Sequence, residues 1–312
     1  ISGKPIIAND PHLAFSAPGK WYAAVIKSPG WNTAGVTLPG VPGVVIGKGE
    51  NISWVLTNVM NDDADFYVEK LDSSKTKYLI DGQWQNLKII KDTIKVNDGI
   101  DQIITIKETH RGPIISNIHP YKFIYNKDNL DIPPISMRWS GSEFSDEMLA
   151  FYKLNKAKNW NEFRDAVKYF GIPGQNFVYA DAQGNIGYIM GARIPLRNSN
   201  NPTLVFDGTT SKNDWNGFIS TEEIPTILNP EENFIASANN KTLKDFKYHI
   251  SNLWEPSSRI DRVRELLTYK QKHSVNDFKN YQMDQVSPYA RTIVSYIIKS
   301  FEGIKVKDKN LN

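Results

Sequence analysis

The chain has 312 residues, 40% of them hydrophobic and 23% charged, which is ample apolar material for one large or two ordinary domains with a buried core. Its net charge of +3 is small and spread without a basic block, which argues against nucleic acid or an anionic membrane surface as a partner. There is no cysteine, so thiolate catalysis, disulfides and cysteine-ligated metals are excluded, and no apolar run approaches the ~20 residues of a membrane-spanning helix.

The chain opens ISGKPII, without the regions of a signal peptide and directly into a strand-like run, which reads as a truncated or processed end. Residues 5–8 read as a short strand closed by the turn formers Asn9, Asp10 and Pro11. Residues 21–27 and 31–37 are β-rich runs on either side of Ser28-Pro29-Gly30, and read as neighbouring antiparallel strands. Residues 40–66 follow: an apolar run, a corner at Gly47-Lys48-Gly49, a second strand-like run over 52–56, and three carboxylates, Asp62, Asp63 and Asp65. The segment has two nucleotide-motif look-alikes. Gly43 to Lys48 is one residue short of a phosphate loop, with no Ser or Thr after the lysine, and Gly47-Lys-Gly49 lacks the third glycine of a dinucleotide fingerprint.

From 67 to 137 short β-branched and aromatic runs (77–80, 87–96, 102–109) alternate with turn signals, an all-β excursion. Trp160, Phe163, Val167 and Phe170 then share one helical face over 159–170, with Asn159 and Glu162 spaced as a capping box. Residues 176–180 and 186–192 form a strand pair across DAQGN at 181–185, a polar loop fills 198–233, and 234–238 reads as a short strand. The tail predicts helices over 259–269, 274–285 and 289–301, a helical layer over 256–312. No repeat of fixed period and no interdomain linker is visible, and sheet mixed with packed helices is an α+β pattern.

The usual nucleophile and metal signatures are missing: no G-x-S-x-G elbow and no H-E-x-x-H pair. The five histidines (His12, His110, His119, His249, His273) are scattered, and a lone histidine is more often structural; His12 stands out because the turn at 9–11 presents it. Three acids within four residues suit a hard cation such as calcium or, equally, a solvated strand edge.

Four stretches in order, GKPIIANDPHL at 3–13, LPGVPGVVIGKGENISWVLTNV at 38–59, QNFVYADAQGNIG at 175–187 and FIASANN at 234–240, with Trp254 and Arg259 downstream, resemble the penicillin acylase family of N-terminal-nucleophile hydrolases. The resemblance implies an αββα sandwich of stacked antiparallel sheets flanked by helices, and places the chain as part of a β-subunit truncated at both ends. It also implies hydrolysis of the amide bond of an N-acyl compound, penicillin or a related acyl amide, by a self-cleaved precursor whose α-subunit is a partner. The nucleophile is then a serine just upstream of Ile1, absent from this chain, so the fragment by itself is expected to be inactive. A free α-amino group titrates near ~7.7–8.0, so one residue can be both hydroxyl and base.

By the same resemblance Asn239 and a backbone N–H at Asn58 or Val59 serve the oxyanion, His12 lies near the nucleophile, and Arg259 holds the asparagine. Leu13, Ile46, Leu56 and Met60 match acyl-pocket positions and stand open to a plain core reading; as aliphatic walls they favour an aliphatic acyl group over phenylacetyl. Asp62, the Ala64 carbonyl, Asp65 and Pro195 match calcium ligands, but the region 247–250 offers no further acid, so calcium is implied for the whole enzyme and is in doubt for this stretch. A periplasmic or extracellular home and a role in antibiotic degradation come with the family. The alternatives are an acyl-homoserine-lactone or cephalosporin acylase and, in another class, a non-catalytic ligand-binding or structural module derived from the family. His110, in the turn THRGP, and the sequons at Asn51 and Asn240 are expected to be structural and unmodified.

Overall fold

The computed structural model describes residues 3–11, 13–116, 118, 132–198, 204–243 and 245–304. β-Rich runs punctuated by turns give β1 (Tyr22–Ser28), β2 (Trp31–Thr37), β3 (Ile46–Lys48), β4 (Ile52–Asn58) and β5 (Ala64–Val68). The excursion follows with β6 (Lys77–Ile80), β7 (Gln83–Asn86), β8 (Lys88–Ile94), β9 (Gln102–Glu108) and β10 (Ile135–Trp139). Helices α1 (Glu147–Leu154) and α2 (Trp160–Val167) lead into β11 (Gln175–Asp181), β12 (Ile186–Gly191), β13 (Phe206–Asp207) and β14 (Thr226–Leu228). Helices α3 (Ser258–Thr268), α4 (Val275–Gln282) and α5 (Pro288–Phe301) form the tail.

The main sheet has seven strands in the order β1-β2-β3-β4-β11-β12-β14, with neighbours antiparallel throughout. A smaller sheet, β10-β5-β13, includes one parallel pairing, between β13 and β5, and the excursion adds the hairpins β6-β7 and β8-β9. Period two divides the main sheet into faces. Trp54 and Leu56 of β4 share a face with Tyr179 and Phe177 of β11, and that face carries the aromatic core. Phe163 of α2 is fully buried there, 5.0 Å between ring centroids from Tyr179 and 6.4 Å from Phe177. The Phe170 ring, 5.0 Å from that of Phe177, meets Phe151 of α1 at 5.7 Å. Gly187 is required by this packing, because a Cβ there would enter the Trp160 ring. The opposite face, with Val55, Thr57, Asn176 and Tyr188, is left for chemistry.

Helix boundaries follow their caps. The Asn159 side chain accepts from the Glu162 N–H at 3.0 Å, while the Glu162 carboxylate reaches back one residue further than a capping box requires, to the Lys158 N–H at 2.9 Å. Ser274 and Asp277 form a full capping box at α4, and Ser287 caps α5 with Pro288 at its first position.

Three expectations differ. Residues 5–8 run without a ladder partner among the described residues, and Ile7 and Ala8 instead wall a cleft. Residues 234–238 are also unpaired as a strand: the Ala238 N–H goes to the Asn240 side chain at 3.0 Å and its carbonyl faces Arg259, so side chains replace the ladder. Inside the stretch expected to be loop, β14 adds an edge to β12. Helix α1, which the sequence reading passed over, is capped by Asp146, whose carboxylate accepts the Leu149 N–H at 2.9 Å.

The β11–β12 turn is organised by Asp181. Its carboxylate accepts the N–H groups of Gln183, Gly184 and Asn185, each at 2.9 Å, and bonds from Tyr179 and the Asn185 amide. Burial alone would raise its pKa, but the hydrogen bonds from Asn185, Tyr179 and the Gly184 N–H outweigh it and hold the carboxyl below its usual range. A depressed folded-state pKa contributes stability that is fully present above the unfolded value of about 3.9 and is lost as pH falls through the folded one. Asp181→Asn is therefore expected to lower unfolding free energy by about 1–3 kcal/mol near neutrality, with the gap to wild type closing below about pH 4 in urea titrations run across pH.

Candidate functional site

The site grows from the end of β4. The Val59 N–H is donated to the Gly174 carbonyl at 3.1 Å, and antiparallel alternation then turns the Asn58 N–H toward the opposite edge. On that edge β3 pairs only with Ser53 and Trp54, so the ladder stops before Asn58 arrives. Of the two backbone donors expected from the sequence, Val59 is committed to the sheet and Asn58 is the one directed away from it.

Asn239 meets this strand end. Its side-chain nitrogen donates to the Asn58 carbonyl at 3.2 Å, and its side-chain oxygen accepts from Arg259 at 3.0 Å. A guanidinium can only donate, so Arg259 fixes which end of the Asn239 amide is oxygen and leaves the NH2 toward Asn58 with a second hydrogen to give. Asn239 sits at φ 62°, in the left-handed region that asparagine tolerates, and its carbonyl accepts from the Glu255 N–H at 3.1 Å. Met60, at φ 61°, is a second left-handed residue beside the same strand end, where a non-glycine costs about 1–2 kcal/mol.

Beneath them lies a polar network that the sequence reading did not single out. The Asn176 amide, 1% exposed on β11, donates to the Asn58 carbonyl at 2.9 Å, to Thr57 Oγ1 at 3.1 Å and to Ser237 Oγ at 3.2 Å. Its oxygen accepts the Tyr188 hydroxyl at 2.8 Å, and burial pushes that phenol well above its usual range, keeping it a donor. Thr57 donates to Ser237 at 2.8 Å, and Gln175 Nε2 to Asn58 Oδ1 at 2.8 Å. The available signal was an asparagine inside an otherwise apolar strand.

A cleft of about 510 Å³ opens on the face of the sheet that carries Val55 and Thr57, walled by Ile7, Ala8, Val36, Ile46 and Val55 with Trp21. Ile46 is the one expected pocket residue that lines it. Leu56 points to the other face of β4, in the core with Phe177, because it differs from Val55 by one step of the pleat. Leu13 is largely exposed and Met60 half-buried, and neither is among the residues lining the cleft. His12 lies outside the described residues. His110 is held by Tyr78 at 3.1 Å and Asp214 at 2.9 Å as part of a turn, and Asn240, in its sequon, is buried.

The acidic cluster has a resident cation. Arg197, with 3% of its side chain exposed, donates from Nε to Asp65 at 2.8 Å and from a terminal nitrogen to the Asp62 carbonyl at 2.9 Å, and lies 3.4 Å from the Asp62 carboxylate. Trp215 Nε1 donates to the same Asp65 oxygen, and His249 approaches Asp62 at 3.3 Å. Burial pushes the Asp63 carboxyl up, opposed by a bond from Trp139. The Ala64 carbonyl is turned away from β10 by the pairing of Asp63 with Ser140, and Pro195 bridges Phe218. Calcium asks for six to eight oxygens. Here the two acids converge on a guanidinium, and among the described residues no group of three or more His, Asp or Glu is placed to hold an ion. As arranged, these residues do not fit calcium.

The penicillin amidase family model matches residues 1–311. The chain is 29% identical over 295 residues to the acyl-homoserine lactone acylase QuiP of Pseudomonas aeruginosa, covering 92% of this chain and 34% of that protein. It is 31% identical over 271 residues to penicillin G acylase of Escherichia coli, covering 86% of this chain and 31% of that protein. It thus spans about a third of the length of these relatives. Among solved structures, a thermostable penicillin G acylase from Alcaligenes faecalis superposes with a TM-score of 0.81 at 25% identity, over 96% of this chain and 53% of the other. With residues 1–311 matched and its strands and helices laid out as in that enzyme over 96% of its length, the chain belongs to the penicillin amidase family and has the fold of an N-terminal-nucleophile hydrolase.

Proposed function

We propose that the protein to which this chain belongs hydrolyses the amide bond of an N-acyl compound, through an acyl-enzyme on an N-terminal serine upstream of Ile1, in partnership with an α-subunit cut from the same precursor. The observation that carries this reading is the convergence at Asn58: an N–H turned out of the ladder and, beside it, an asparagine amide whose orientation Arg259 fixes. Two such donors stabilise the oxygen of a tetrahedral intermediate without reorganising when charge develops. Asn176 holds the Asn58 carbonyl from below and is itself tied to Thr57 and Ser237, so the residue whose N–H does the work is fixed on its C-terminal side.

In this reading the serine attacks the amide carbonyl, its own α-amino group takes the proton and passes it to the leaving amine, and water then releases the acid. Asn239→Ala is expected to lower kcat by ~10²–10³ with little change in KM, the signature of a donor used in the transition state. Arg259→Ala is expected to lower kcat less, because it frees the Asn239 amide to flip without deleting it. Full kcat in Asn239→Ala, in steady-state assays of the intact processed protein, overturns the assignment.

The aliphatic walls of the cleft, Ile7, Val36, Ile46 and Val55, support a flexible acyl chain, each buried methylene being worth about 0.8 kcal/mol. That favours the reading in which the substrate is an N-acyl homoserine lactone or another aliphatic amide over a phenylacetyl amide such as penicillin G. A panel of acyl chains should give kcat/KM rising with chain length and exceeding that for phenylacetyl amides; equal or better turnover of the phenylacetyl series removes this preference.

A further inference from the structure

We infer that Arg197 supplies the positive charge at the Asp62–Asp65 turn that a bound divalent cation would otherwise supply, so that this protein does not depend on calcium. Two observations meet here. The guanidinium touches both acids and the Asp62 backbone carbonyl at once, which is a bridge that ties the β4–β5 connection to the segment leaving β12. It is buried, and its Cζ lies over the Trp215 ring at 5.4 Å, with that of Arg138 over the same ring at 5.3 Å. Trp215 donates to the same Asp65 oxygen as Arg197 and His249 faces Asp62, while the other Asp65 oxygen and one terminal nitrogen of Arg197 are buried without a partner among the described residues.

Charge decides the matter. A dication entering between these carboxylates would sit within contact distance of a fixed guanidinium at low dielectric, where like charges repel strongly. The two acids would have to give up their charge-assisted bonds to Arg197, leaving that cation buried and unpaired, which is the costly outcome for a buried pair. Planar, forked and always charged, arginine can do this; a lysine would offer a point charge without the simultaneous reach to Asp62 and Asp65.

The test uses the intact protein and does not involve activity, so it is separable from the proposed function. Terbium, excited through the neighbouring Trp215, and calcium by calorimetry are titrated into the chelator-treated wild type, and thermal unfolding is followed with chelator and with millimolar calcium. The expected result is no saturable terbium luminescence, no calcium heat, and a Tm unmoved by either. Arg197→Ser is expected to lower Tm by roughly 5–10 °C, through the uncompensated carboxylates, and to regain part of that loss on addition of calcium. A wild type that binds calcium stoichiometrically at this cluster, or whose Tm falls in chelator, overturns the inference, and this arm decides whether or not Arg197→Ser folds. Terbium binding that Asp62→Asn leaves unchanged is assigned to another site and leaves the calcium and chelator arms to decide.

Discussion

The hydrogen-bond ladder between β4 and β11 is the constraint from which the candidate site follows. It holds β4 rigid through Val59 on one side, while on the other β3 lets go after Ser53 and Trp54. A strand satisfied on one edge and released on the other presents, at Asn58, an N–H that is held in place and turned away from the ladder. Every other residue of the candidate site is arranged around Asn58: Asn239 and Asn176 on its carbonyl, Gln175 on its side chain, and the left-handed Met60 two residues beyond it. The aromatic core on the reverse face anchors the same two strands, since Phe163 packs on the Phe177 and Tyr179 rings of β11.

The polar network between the sheet and residues 237–242 is costly to bury and therefore has to be complete. Asn176 uses both ends of its amide, Tyr188 serves as donor to it, and Thr57 and Ser237 pair with each other. Removing one member would leave others as unsatisfied buried groups, so the network specifies one arrangement of the 234–240 segment over the strand ends. This explains why that segment needs no ladder of its own: its backbone is bound through side chains.

Much of the fold was legible because it rests on local rules. Turn residues bracket β1, β2, β4 and β9, caps mark α2, α4 and α5, and strand pairing across DAQGN follows from one carboxylate folding its own loop. Residues 5–8 and 234–238 misled because a short apolar run has no preference between a ladder and a wall, and the deciding partners, the cleft and Arg259, lie far along the chain. The site was legible to the extent that motifs carried it: Asn58, Asn239 and Arg259 come together in space. The pleat was not legible from composition, and it sends Leu56 to the core while Val55 takes its expected place in the cleft. Arg197 could not be found by spacing at all, since its carboxylates are more than 130 residues upstream in the sequence.

A guanidinium fixed to the chain has no dissociation constant. An ion held by mass action stabilises a protein by an amount set by its free concentration, and folding then shares the fortunes of the surrounding medium. Arg197 arrives with translation, in a ratio of one per molecule, and cannot be diluted, chelated or exchanged for a competing metal. The bridge it makes across the turn joining β4 to β5 therefore does not vary with the free concentration of any ion, and it lies only four residues beyond Asn58.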